Sequence, residues 1–192
     1  KMQAGKVVFA GASASGKTSL IYRLVQDSFD GEQLSTTSAA FSVKNVQFTQ
    51  NKKQHDIKLL LWDTAGQERF QSLTPQFFRG AQFVLVVFDL TSQTSFEQLG
   101  FWVSQARKRS SELTRFFILA NKADLPQKIS EAQIGEFCGD AGYKLFRVSA
   151  KTGEGMRELL DAMCAEYLAQ EKYFEPEAVL QTKPVERGKK CC

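Results

Sequence analysis

The sequence predicts an α/β domain, a largely parallel sheet with helices packed on both faces. Two observations predict it. Short runs rich in β-branched and aromatic residues alternate along the chain with stretches of helical periodicity. In addition, polar, chemistry-bearing residues repeatedly follow an apolar run directly, as they do at the carboxyl ends of strands in such sheets. The 192 residues suit one domain and an appendage, with 43% apolar and 24% charged residues in the usual globular range. A domain over residues 1–170 would bury roughly 70% of its unfolded surface, so it needs no disulfide or structural metal.

The first predicted strand is Lys6–Ala10, followed by a glycine-rich loop and a helix striped by Leu20, Ile21, Leu24 and Val25. Phe41–Thr49 is the second strand, although Phe41 and Val43 share one phase and Val46 and Phe48 the other, as a bulge or an edge strand allows. The polar stretch NKKQHD reads as a hairpin turn into a third strand, Ile57–Trp62, which makes that pair antiparallel. His55 then lies solvated in the turn. Phe83–Phe88 is the fourth strand and the longest apolar run, far too short to cross a bilayer. Phe96, Leu99, Val103 and Ala106 mark a helix, with Thr94 and Glu97 at capping-box spacing. Phe116–Ala120 is the fifth strand, Ser130 and Gln133 cap the next helix, and Leu145–Val148 is the sixth strand. Met156, Leu159, Leu160, Met163, Tyr167 and Leu168 stripe a last helix.

Past Gln170 the periodicity stops. Residues 171–192 hold two prolines and five basic against four acidic side chains, the composition of a mobile tail. Cys138 and Cys164 fall singly within predicted helices and read as small buried apolar residues. Cys191 and Cys192 close the chain, and no cysteine spacing suggests zinc. No signal-peptide pattern is expected, which makes the cytosol the default compartment. The net charge of +4 comes without a basic face interleaved with aromatics, so no nucleic-acid partner is expected.

Gly11-Ala12-Ser13-Ala14-Ser15-Gly16-Lys17-Thr18 fits GxxxxGK[ST] between a strand and a helix, as that motif requires. Its backbone N–H groups, Gly11, Ser13, Ala14, Ser15 and Gly16 among them, would cradle phosphate at a helix N-terminus. Lys17 would reach the β and γ phosphates and Thr18 would bind Mg²⁺. The motif does not choose between ATP and GTP. In IKLLLWDTAGQE, Asp63 ends a strand where a carboxylate can hold a magnesium-bound water. Gly66 can bring its N–H to a γ-phosphate, and Gln67 can orient an attacking water.

FFILANKAD decides the base. Asp124 can accept from guanine N1–H and the exocyclic amine, donors that adenine lacks. A site built on such bonds rejects an analogue without them by roughly 10⁴-fold or more. Asn121 and Lys122 accompany it, and Ser149-Ala150-Lys151 follows another strand, where the Ala150 N–H could donate to guanine O6. A P-loop ATPase or small-molecule kinase would share the cradle but would not need these residues or Gln67.

On those motifs the chain resembles the Ras-like small GTPases over roughly residues 5–170, most closely the Rab branch. KLLLWDTAGQERF, FFRGAQ, VVFDLT and the terminal CC carry the Rab likeness. The resemblance implies a P-loop NTPase-type, doubly wound sheet of six strands, mainly parallel with one antiparallel edge strand, flanked by five helices. It implies that Thr36 binds Mg²⁺ and the γ-phosphate, that Phe29 packs on the guanine, and that Asn121, Lys122, Asp124, Ser149, Ala150 and Lys151 form the guanine site. It implies effectors at two switch segments, a GTPase-activating protein, a guanine-nucleotide exchange factor, and a chaperone for a tail doubly prenylated at Cys191 and Cys192. Two lipid chains anchor stably where one is marginal. The expected place is the cytoplasmic face of an intracellular membrane, in exchange with the cytosol, and SLTPQFF resembles Rabs of the endoplasmic reticulum, Golgi and lipid droplets.

Ala14 and Ser15 stand where the family commonly has Gly-Val, and both are small enough to leave nucleotide binding intact. Thr37-Ser38-Ala39-Ala40 and Gln33 depart on the surface that faces effectors and covers the nucleotide. No Arg or Lys occurs between Leu24 and Val43, so the first switch offers no arginine finger. For Ras itself an activator's arginine gains roughly 10⁵-fold, about 7 kcal/mol of barrier. The chain is therefore expected to hydrolyse GTP slowly. The alternatives are a nucleotide-locked interaction module without hydrolysis and a Ras- or Rho-type signalling GTPase.

Overall fold

The computed structural model describes residues 3–30, 40–64, 77–139 and 141–170. Six strands, β1 (Gln3–Gly11), β2 (Ala40–Gln50), β3 (Lys53–Asp63), β4 (Phe83–Asp89), β5 (Arg115–Asn121) and β6 (Lys144–Arg147), form one sheet in the order β2-β3-β1-β4-β5-β6. β2 runs antiparallel to β3 at the edge, and the other pairings are parallel. Parallel neighbours need crossover helices, and those helices bury the sheet on both sides. β4 is accordingly buried along its whole length.

Strand alternation divides the core. Val7 and Phe9 of β1, with Leu59, Leu61, Leu85 and Leu119, pack on one face against α1 (Lys17–Gln26) and the last helix through Leu20, Leu159 and Met163. Val8 and Ala10, with Val84, Val86 and Ile118, pack on the other face against Trp102, Val103 and Ile134. That second face is covered by α2 (Gln93–Glu97), α3 (Leu99–Arg107) and α4 (Glu131–Gly139); the last helix is α5 (Met156–Gln170). Only Gln98, itself in right-handed helical conformation, separates α2 from α3. Counted as one interrupted unit, they leave four helices among the described residues where the resemblance implies five.

Local expectations differ in instructive ways. β2 pairs with β3 residue for residue from Ala40 to Gln50, so its phase change reflects a half-covered edge rather than a bulge. The hairpin turn is only Asn51-Lys52, both at positive φ (52° and 62°), as a type I′ turn requires. His55 therefore lies within β3, half-buried opposite Phe48. Ser92, not Thr94, caps α2 by accepting from the Ser95 N–H. The Ser130–Gln133 capping box forms in both directions. Cys138 and Cys164 are buried and free, and burial, with Asp161 adding, pushes the Cys164 thiol up to about 12. No described helix is long and apolar enough to cross a membrane.

Candidate nucleotide site

Because β1, β3, β4, β5 and β6 are parallel, their carboxyl ends share one edge, where open α/β sheets bind ligands. Asp63 ends β3, Asp89 ends β4 and Asn121 ends β5, while Ser149 lies two residues past β6. At the end of β1, Gly11 passes so close to β4 that a Cβ there would meet the Val87 carbonyl oxygen at 2.1 Å. Gly16, at φ 91°, begins α1 with no side-chain cap and no acidic residue in the first turn. The positive end of the helix therefore faces the loop with no acidic residue of its own first turn to offset it.

Between those glycines, Ser13 and Ala14 are exposed and Ser15 is buried. Ala14 adopts φ 59°, a left-handed conformation that costs a residue with a Cβ roughly 1–2 kcal/mol. Lys17 curls back over the loop, its ammonium donating to the carbonyls of Gly11 (3.0 Å) and Ala12 (2.8 Å). Burial pulls its pKa down to about 8, against the raising influence of Asp63.

The Thr18 hydroxyl donates to Asp63 Oδ2 at 2.6 Å, and Asp63 Oδ1 is buried with no hydrogen-bond partner among the described residues. Burial raises the Asp63 pKa, against the Thr18 hydrogen bond and Lys17. A hydroxyl and a buried carboxylate with a spare oxygen, side by side, make a donor set that fits a hard divalent cation. Next to them, Thr64 anchors its hydroxyl on the Phe9 carbonyl at 2.7 Å.

Asn121 joins the phosphate-type loop to the predicted base site. Its Nδ2 donates to the Ser15 carbonyl at 2.8 Å, and its Oδ1 accepts from the Ala150 N–H at 3.3 Å. A Cβ on Gly16 would collide with Asn121 Nδ2 at 2.2 Å, so only glycine admits this approach. Ser149 donates to Asp124 Oδ1 at 2.6 Å and accepts from the Thr152 N–H at 3.1 Å. That bond leaves Asp124 Oδ2 with no hydrogen-bond partner among the described residues. Lys122, at φ 64°, pairs with Asp89 Oδ2 at 2.6 Å. Lys151 is exposed, and Phe29 is 41% exposed.

The described residues thus bring together Gly11 to Thr18, Asp63, Asn121, Lys122, Asp124, Ser149, Ala150 and Lys151. Thr36, Gly66, Gln67, Cys191 and Cys192 lie outside them. Sequence reasoning passed over Asp89, Thr64 and Arg23. Asp89 had a signal, being the single acid that closes the apolar run FVLVVFD.

Comparison with known proteins follows the same line. The Ras-family profile matches residues 6–169, and the chain belongs to the Ras family. The GTP-binding protein ypt5 of Schizosaccharomyces pombe is 35% identical over 87% of this chain and 79% of its own length. The Ras-related protein Rab-18 of Caenorhabditis elegans is 39% identical over 79% of this chain and 74% of its own. The Ras-related protein Rab-13 of Canis lupus familiaris is 33% identical over 85% and 79%. Within the family the chain is a Rab-type small GTPase, a guanine-nucleotide-binding protein that hydrolyses GTP.

Proposed function

We propose that the protein is a slow, activator-dependent GTPase switch of intracellular membranes, with the nucleotide bound along the carboxyl edge of the sheet. The loop from Gly11 to Gly16 surrounds the phosphates, Lys17 reaches the β and γ groups, and Phe29, Asn121, Lys122, Asp124, Ser149, Ala150 and Lys151 form the guanine site. Thr18, Thr36 and Asp63 would hold Mg²⁺, which when bound would neutralise phosphate charge. Gly66 contacts the γ-phosphate and Gln67 orients the attacking water.

The observation that carries this reading is the Asn121 bridge, because one side chain ties the phosphate-type loop to the loop that reads the base. Thr36 and Gly66 would each lose a contact when the γ-phosphate leaves, which relaxes both switch segments. Effectors read that change. Phe41, half-exposed and stacked edge-on against Trp62 at 5.1 Å, with Phe77 5.7 Å beyond, supplies apolar surface from residues that follow the two segments in sequence. A GTPase-activating protein and an exchange factor set the cycle, and residues 171–192, prenylated at Cys191 and Cys192 and carried by a prenyl-binding chaperone, attach the domain to its membrane.

Single-turnover hydrolysis of bound GTP tests the catalytic part. The wild type should turn over slowly and Gln67→Leu more slowly still, without loss of GTP affinity. An unchanged rate in Gln67→Leu would remove Gln67 from the mechanism, and no hydrolysis in the wild type would favour a nucleotide-locked module.

A further inference from the structure

Arg23 lies in the last turn of α1, on the helix that begins at the phosphate-type loop. Its side chain is only 14% exposed. Its guanidinium donates from Nε to the Ala150 carbonyl at 2.8 Å and from Nη2 to the Lys151 carbonyl at 2.6 Å. Nη1 donates to the Asp27 carbonyl at 2.8 Å. Helix capping does not require this arrangement, since the Asp27 N–H already closes α1 on the Arg23 carbonyl.

The two carbonyls belong to successive residues of the loop that follows β6. A planar guanidinium can hold both at once in fixed geometry, which a lysine ammonium cannot. The carbonyls of Ala150 and Lys151 share their rigid planes with the N–H groups of Lys151 and Thr152, so the clamp fixes the chain on the carbonyl side of the Ala150 Cα, one bond from the Ala150 nitrogen. Arg23 therefore fixes the orientation of the loop's peptide planes from the side of α1. Asn121 holds the same loop from the other side, through the Ala150 N–H.

We propose that Arg23 is a positioning residue for purine recognition: by anchoring the carbonyls of Ala150 and Lys151 to α1 it holds the Ala150 backbone, whose N–H is turned toward Asn121, where that N–H can also reach the six-oxygen of guanine. This rests on the assignment of Ala150 to that oxygen. The phosphate helix and the base loop then form one body, and loosening one end releases the other. Arg23 touches no part of the nucleotide itself.

The test compares GDP with 2-aminopurine riboside diphosphate, which keeps the exocyclic amine but lacks the six-oxygen and, with it, the N1 proton assigned to Asp124. Affinity and dissociation rate are measured for the wild type, Arg23→Ala and Arg23→Lys. Wild type should prefer GDP clearly. Arg23→Ala should release GDP roughly tenfold faster, the scale expected from losing charge-assisted hydrogen bonds, while its affinity for the analogue changes less than about twofold. Arg23→Lys, with charge but no fork, should fall between them, and it carries the comparison alone if Arg23→Ala fails to fold. Equal losses for both ligands, or no loss for either, would overturn the proposal. A wild type that does not distinguish the two ligands would instead overturn the Ala150 assignment, and the role of Arg23 with it.

Discussion

At the scale of single residues, Asp89 and Lys122 define the floor of the site. Burial alone would raise the Asp89 pKa, but hydrogen bonds from Lys122 and Thr91 outweigh it and hold the carboxyl below its ordinary value of 3.8. In acid the unfolded chain therefore takes up this proton before the native one does, so the stabilisation is complete above the unfolded value. It is lost as pH falls through the lower native value. In urea unfolding between pH 5 and 2.5, the wild-type midpoint should fall more steeply than that of Asp89→Asn, which has nothing to titrate. Parallel curves would contradict the pairing. Ala14 shows why some residue-level physics was hidden in the sequence. Its small size is plain from the letters, whereas its φ of 59° emerges only when the loop closes. Arg23 was hidden for another reason, since its partners lie 127 and 128 residues away.

At the scale of elements, apolar runs located all six strands, and the structure extends most of them into polar ends. Asp63, Asp89 and Asn121 are terminal strand residues rather than loop residues, which fixes their side chains on rigid backbone. For Asp63 the sequence already pointed to a strand end; for Asp89 and Asn121 propensity could not, because a polar residue there is held by its neighbour's ladder. The hairpin shows the same limit: six polar residues looked like turn, yet pairing from Gln50 and Lys53 onward confines it to two. Lys52, at φ 62°, occupies a place that glycine adopts without strain. Lys52→Gly should stabilise the protein by about 0.5 kcal/mol, from a left-handed penalty of ~1–2 less the ~0.5–1 entropic cost of glycine. A lowered unfolding midpoint in that variant would contradict the turn assignment.

At the scale of the whole molecule, the alternation of strands and helices made the α/β class legible, and the motif order located most of the candidate site. The strand order was not legible from spacing, because it depends on which way each crossover returns. It matters for the site, since it sets Gly11 against Val87 and Asp89 beside Asn121. The resulting edge combines a phosphate-type loop with a carboxylate, Asp124, that keeps one oxygen beyond its bond to Ser149. Guanine offers two donors to that carboxylate and adenine offers none. The most direct measurement is retention of radiolabelled GTP by the purified protein in the presence of excess unlabelled ATP or GTP. The account predicts that GTP displaces the label while ATP, even at roughly 10³-fold excess, leaves it bound. Displacement by ATP at comparable concentration would contradict the guanine site.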